Sequence, residues 1–395
     1  MNRNFWITAL IAFINSLSLT ILIPVIYIYG KQFYLNDFQT SLLFSIYSLA
    51  QFFATPVIGK LSDRFGRKPL LIISLAGTVI ANFIAGTATT ATLLFLARLL
   101  DGITGGNNSV AQAVISDITN SENRAKGFGV LGAALGLGFV LGPAISLMAQ
   151  QISLGTSFLV SGAIALMALL ITVFFLPETL KTKAGKAHNV FDIGLGNLIK
   201  GIATPKIGIL LIINFLIGTT FTIFTYAFQP YFINILAQDN KSLTLLFFTF
   251  GVLGVVTQTW GVSILIRKFN LISILFLGLF IRGLSFILMP IWANITYFIG
   301  VSILFSLFNS LVQPMINTLI SLNAKPEDQG TAMGLNSSYL SISNAFGPVI
   351  AGMLIHQSNP ATYSYPLYLA GVLTLLALLF AISTRRRYAP KIEAM

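Results

Sequence analysis

The chain has no cysteine among its 395 residues and only two histidines, His188 and His356. The first absence excludes disulfides, thiolate catalysis and cysteine metal sites, and the second leaves too few ligands for a protein-built metal centre. Charge is scarce as well: Asp, Glu, Lys and Arg make up 9% of the residues, against about a quarter in an ordinary soluble domain. Acids are the rarest of these, 11 against 23 cations, so the position of each one is informative. No histidine-based dyad, phosphate-cradling loop or nucleotide-binding glycine pattern is present, so neither enzymatic catalysis nor a cofactor is expected. What the chain does have is apolar surface: 55% of its residues are hydrophobic and the mean hydropathy is +0.86. That composition describes an all-α membrane protein that crosses the bilayer many times. The formal charge of +12 does not point to nucleic acid, because the cations fall in short loops and not on one face interleaved with aromatics.

Runs of roughly 20 mostly apolar residues, enough to span a bilayer, predict helices at 5–29, 40–60, 69–88, 92–115, 127–149 and 155–176. A second set follows at 207–233, 242–266, 270–290, 294–320, 330–355 and 363–384. The reading is twelve transmembrane helices as two six-helix bundles: an N-terminal bundle 1–176, a cytoplasmic linker 177–206, a C-terminal bundle 207–384 and a basic tail 385–395. The N-terminus has no small-residue cleavage site before its apolar run and is read as a retained first span. With the N-terminus inside, 19 of the 23 Lys and Arg residues fall in cytoplasmic segments. Both termini are therefore expected in the cytoplasm of a cell-membrane protein.

The two halves repeat. Glu122, Gly129, Gly142 and Pro143 recur 205 positions later as Glu327, Gly334, Gly347 and Pro348. That offset matches six spans and makes the fifth and eleventh helices equivalent. Gly129, Gly138, Gly142, Pro143, Gly347 and Pro348 are expected at a helix interface or hinge, where small residues let helices approach and proline removes a backbone donor. Gly132 and Gly136 are expected to serve the same close contact.

The densest charge lies between the second and third spans, where Gly59 to Pro69 reads G-K-L-S-D-R-F-G-R-K-P. Gly59 and Gly66 are expected to permit turns, Asp63 to pair with a neighbouring Arg or sit at a helix N-terminus, and Arg64 and Arg67 to face the anionic leaflet. Arg98 to Gly106 reads R-L-L-D-G-I-T-G-G. On these two stretches and on the glycine-proline pattern of the fifth helix, the chain resembles the major facilitator superfamily, and within it the twelve-helix tetracycline and multidrug efflux antiporters. The resemblance implies a gate on the cytoplasmic side, in which Asp63 holds the start of the eleventh helix near Asp328 and Gln329, and Arg67 pairs with Asp117. The alternative is that these are positive-inside anchors with incidental acids. The family's exporters carry an acid in the middle of the first helix, where Asn15 stands here. They also carry a glycine pair after the Gly-Pro, where Ala144 and Ile145 stand.

An ionisable group at the centre of a span costs about 2.5–3.5 kcal/mol on insertion scales and is a functional candidate by default. Arg98, Asp101 and Arg282 qualify. Arg98 and Asp101 share a helical face and form either a self-neutralising structural pair or a proton-responsive site in which Asp101 titrates. Arg282 has three readings: binding an anion in a central cavity, pairing with Asp101, or snorkelling to an interface. Asn15, Asn107, Asn108, Gln112, Asn309, Gln313 and Asn317 complete the expected substrate cavity, the last three spaced four apart along one face.

These residues predict a monomeric transporter working by alternating access, with the lipid bilayer, a small-molecule substrate and protons as its partners. Proton-coupled efflux of a small amphipathic or drug-like molecule is the first expectation. A facilitator or importer of a sugar-like or anionic metabolite is the second, and a non-transporting receptor or scaffold the third.

Overall fold

The computed structural model describes residues 3–119, 121–180, 196, 201–324 and 329–389. Most of the expected linker, residues 325–328 and the last six residues of the tail lie outside them, as do the side chains of 121–126, 128, 129, 135 and 329–331. Gly129 and the expected Asp63 partners Asp328 and Gln329 therefore fall outside the description.

Every regular element among the described residues is helical. The first expected span is two helices, α1 (Arg3–Thr20) and α2 (Ile26–Gln32), and the fourth is also two, α5 (Ala91–Ile103) and α6 (Asn107–Ile118). Between these lie α3 (Asp37–Phe65) and α4 (Arg67–Gly86), followed after the fourth span by α7 (Ser121–Ala149) and α8 (Leu154–Phe175). The second half comprises α9 (Ile207–Asn234), then α10 (Asn240–Val256) joined through a π-turn at Thr257–Gly261 to α11 (Val262–Lys268), then α12 (Leu271–Leu288), α13 (Ile295–Asn323), α14 (Gln329–Leu354) and α15 (Tyr365–Tyr388).

Among the described residues, nine of these stretches are by themselves long and apolar enough to cross a membrane. The first and fourth fall short because each is broken. The eleventh, α14, falls short because its serines and asparagines dilute its hydropathy.

Helix starts follow side-chain capping, in which a short polar side chain takes up one of the bare N–H groups of the first turn. Thr90, Ser153, Asn270 and Asn294 accept from Leu93, Thr156, Ser273 and Tyr297 at the heads of α5, α8, α12 and α13. The last of these starts α13 just after the expected break between 290 and 294.

Two compact units form. One comprises Met1–Leu35, Ile46–Ile193 and Asp239–Gly251, the other Asn36–Ser45, Gly194–Gln238 and Val252–Met395. In the first unit α1 packs along α7 and α8, and α4 lies on α8 and α5. In the second, α9 packs along α14 and α15, and α12 lies on α13 and α15. The head of α3 belongs to the second unit, where the Asp37 side chain is 1% exposed and accepts a hydrogen bond from Tyr363 Oη at 3.2 Å. The Asp37 carbonyl takes the Tyr226 hydroxyl.

Both units use one crossing. In the first, Thr20 Oγ1 on α1 donates to the carbonyl of Gly138 at 2.7 Å, and a Cβ on Gly142 would lie 2.7 Å from Thr20 Cβ. In the second, Thr222 Oγ1 on α9 donates to the carbonyl of Ser343 at 2.9 Å, and a Cβ on Gly347 would lie 2.8 Å from Thr222 Cβ. Gly132 and Gly136 have nothing within 4 Å of where a Cβ would stand, so among the described glycines the expected close contact runs through Gly138 and Gly142.

Candidate functional site

The break in the fourth span positions the charged pair of the first unit. After Ile103 the chain leaves the helix for three residues. The freed backbone groups are taken up by side chains: Gln51 Nε2 donates to the Gly105 carbonyl at 2.9 Å, and Gly106 N donates to Ser74 Oγ at 3.1 Å. Non-helical backbone at membrane depth is tolerated only when satisfied in this way. The consequence is that Asp101, at the end of α5, and Asn107, at the start of α6, face one enclosed cavity with Asn15 of α1 and Thr78 of α4.

Arg98 and Asp101 are each 5% exposed and pair through Nη1 and Oδ2 at 2.9 Å. The guanidinium lies over the Tyr47 ring, 4.2 Å from its centroid, and Gln51 Nε2 holds the Tyr47 hydroxyl at 3.0 Å. Asn107 Nδ2 donates to Asn15 Oδ1 at 2.9 Å. Two polar atoms there, Asn107 Oδ1 and Arg98 Nε, are buried without a hydrogen-bond partner among the described residues. The cavity offers about 10 Å³ to water-sized centres, room for roughly one water molecule. That is too small for a drug-sized guest, which takes about 300–1,000 Å³.

The charged stretch is not a loop of eleven residues. Gly59 lies inside α3 with nothing within 4 Å of its Cβ position, so it serves no turn. The whole reversal falls on Gly66, whose φ of +116° favours glycine. The short connection buries Arg67 at 7% exposure. Its guanidinium binds Asp63, Asp117 through Nε at 2.9 Å, and Ser62 Oγ through Nη1 at 2.7 Å. The expected pairing of Arg67 with Asp117 is thus formed. Arg64 is exposed and stacks over Phe65, its guanidinium carbon 5.2 Å from the ring centroid.

In the second unit Arg282 on α12 is 1% exposed, so it does not snorkel. It donates through Nη2 to the Ile217 carbonyl at 2.6 Å and to Thr220 Oγ1 at 2.9 Å, with Phe221 and Phe286 near its face. No carboxylate pairs with it among the described residues. Gln313 Nε2 and Asn336 Nδ2 both donate to Asn317 Oδ1, at 3.0 and 3.1 Å, and Asn214 donates to Asn336, an amide chain across α13, α14 and α9.

The structure therefore groups Asn15, Asn107 and Asn108 with Asp101, and separately links Gln313 with Asn317. Gln112 is exposed and lies outside that cavity, and Asn309 stands outside the amide chain. Sequence reasoning missed Tyr47, Thr78 and Glu178. Only Glu178 carried a usable signal, being one of the 11 acids and lying just past the end of a span.

The sequence profile described as the Major Facilitator Superfamily matches residues 8–203 and 210–394. The chain is similar to the class B tetracycline resistance protein of Escherichia coli, 27% identical over 91% of this chain and 90% of that one. It is similar to multidrug resistance protein 1 of Bacillus subtilis (strain 168), 26% identical over 96% of each chain. In fold it is similar to a bacterial homologue of the human lysosomal transporter Spinster, with a TM-score of 0.80 and 15% identity over 98% of this chain and 97% of that one. With a match covering nearly the whole sequence, helices throughout and a buried ion pair beside a broken span, the chain belongs to the Major Facilitator Superfamily and is a membrane transporter, not an enzyme.

Proposed function

We propose that this transporter exports a small amphipathic or drug-like molecule in exchange for protons, by alternating access of two six-helix bundles joined by the 177–206 linker. The observation that carries the proton reading is the buried Arg98–Asp101 pair in an enclosed polar cavity that admits about one water. The relatives' names, tetracycline and multidrug resistance, support the substrate class. In this reading Asp101 takes and releases the proton, and Arg98 holds the charge of the deprotonated state. Asn15, Asn107 and Asn108 position water beside the carboxylate. Arg67, with Asp63 and Asp117, forms the cytoplasmic gate, and the Gly142-Pro143 and Gly347-Pro348 crossings act as interfaces. The protein works as a monomer in the cell membrane with both termini in the cytoplasm, binding no nucleic acid.

Transport in proteoliposomes under an imposed pH gradient tests this directly, screened across cationic drugs, neutral sugars and organic anions. The expected result is gradient-dependent movement of a cationic or amphipathic drug. Drug flux that ignores the gradient removes the antiport reading.

Arg282 favours a second reading, a facilitator or importer of an anionic metabolite, because no carboxylate among the described residues pairs with its buried guanidinium, which donates to a carbonyl and a hydroxyl. Under that reading Arg282→Gln abolishes organic-anion flux and leaves cationic-drug flux intact. Under the first reading it lowers the thermal unfolding temperature by removing hydrogen bonds to α9, while every flux that survives in the folded protein keeps its selectivity.

A further inference from the structure

The acid at position 178 has no part in the gate described so far. It stands three residues past the end of α8, where the N-terminal half passes into the linker, and its side chain is exposed. Yet both of its carboxylate oxygens are occupied. Oε1 accepts from the backbone N–H of Arg67 at 2.9 Å and Oε2 from that of Lys68 at 3.2 Å. The N–H groups of Thr179 and Leu180 also point to Oε1, each at 2.9 Å. Burial pushes the carboxyl up, but these four donors outweigh it and hold it below the usual glutamate range.

The first turn of α4 has bare N–H groups and receives no cap from Gly66. A carboxylate there completes hydrogen bonds and meets the positive end of the helix dipole. Glu178 supplies this cap from 111 residues away. Two more contacts fasten the same segment: Lys68 Nζ donates to the Val173 carbonyl at 2.8 Å, and Thr179 Oγ1 to Asp117 Oδ2 at 3.4 Å. Gly66 completes the fit, since a Cβ there would meet Glu178 Oε2 and lie 3.0 Å from its Cδ. The glycine of the charged stretch thus serves two needs, its positive φ and the approach of this carboxylate.

We propose that Glu178 is a positioning residue of the cytoplasmic gate: by capping α4 it sets the backbone of Arg67, and with it the aim of the guanidinium at Asp63, Asp117 and Ser62. The proposal rests on the reading of that cluster as the gate. The carboxylate cannot be replaced by an amide, because Gln presents one acceptor and turns an NH₂ group toward an N–H donor. Because Glu178 also begins the segment leading to the second half of the chain, it ties the gate to the linker.

The chain lacks cysteine, so a single Ser62→Cys substitution gives a clean reporter at a site with 0% exposure. Its labelling by a membrane-impermeant maleimide in inverted vesicles is compared in the Ser62→Cys, Ser62→Cys/Glu178→Gln, Ser62→Cys/Glu178→Asp and Ser62→Cys/Arg67→Ala proteins, with thermal unfolding recorded for each. Glu178→Gln is expected to raise the labelling rate roughly two- to thirtyfold, the range that follows from losing one helix cap, with the unfolding temperature close to that of the parent. Glu178→Asp, one methylene short but still charged, recovers part of the protection. If Arg67→Ala opens Ser62 and Glu178→Gln does not, the positioning role is wrong while the gate stands. If neither does, the gate reading fails and the proposal with it. A fall in unfolding temperature without faster labelling reduces Glu178 to a structural cap and likewise overturns the proposal.

Discussion

Replacing Asp101 by Asn is expected to bring pH-gradient-driven transport in proteoliposomes down to the level of empty vesicles. The two meanings of the Arg98–Asp101 pair separate on a second variant. Asn cannot carry a proton, and it leaves the Arg98 charge unpaired where each side chain is only 5% exposed. Removing one member of a buried pair costs about 3–5 kcal/mol, most of it from the charge left behind, so the single variant should also unfold at lower temperature. The double variant Arg98→Gln/Asp101→Asn removes both charges and should recover much of that stability. If Asp101 is the proton carrier, gradient-driven transport stays absent in the double variant while downhill exchange of substrate continues. If the pair is only structural, transport returns with the fold. Full gradient-driven flux in the stable double variant would end the proton-carrier reading.

The second large effect is expected at the repeated glycines. Gly347→Val, with Thr222 Cβ at 2.8 Å and Ile223 N at 3.0 Å from the new Cβ, must push α9 and α14 apart. Overpacking usually costs about 1–3 kcal/mol, and here part of the obstruction is backbone, which no rotamer change relieves. Gly142→Val should behave alike, with Thr20 Cβ at 2.7 Å and its carbonyl carbon at 2.8 Å. Gly132→Ala and Gly136→Ala serve as controls. Neither glycine has a neighbour within 4 Å, so alanine should be neutral or stabilise the helix by up to about 1 kcal/mol. Thermal unfolding in detergent reads the contrast. Equal losses at all four positions would show that glycine is needed for helix flexibility and not for the crossings.

The glycines also mark where sequence reasoning stops. Five small residues at Gly129, Gly132, Gly136, Gly138 and Gly142 look alike on a helix, and spacing alone assigns them one role. Which of them meets a partner depends on where α1 crosses, and that depends on Thr20, more than a hundred residues away. The charged stretch behaved in the same manner. Its link from Arg67 to Asp117 was legible because acids are scarce and the resemblance named the partner. That Gly59 is helical and Gly66 alone makes the turn was not, since both glycines flank the same apolar runs. Arg282 was recognisable as a buried charge, but its partners, the Ile217 carbonyl and the Thr220 hydroxyl, lie on another helix and could not be read from its neighbours in sequence. Tyr47 carried no signal, because one aromatic on a membrane helix is ordinary packing until Arg98 is brought beside it.

By itself the sequence determined the class of this protein. Long apolar runs, scarce acids and cations gathered in loops are local or summed quantities, and the bilayer acts on each segment separately. The missing cysteines and near-absent histidines removed whole kinds of chemistry in the same additive way. Only the tertiary structure decided which charges are partnered. It broke the fourth span at Thr104–Gly106 to set Asp101 against Asn107, and it carried Glu178 across 111 residues to the head of α4. Hydrogen bonds and ion pairs act over about 3 Å, and the partner that comes within that reach is chosen by packing, not by position along the chain.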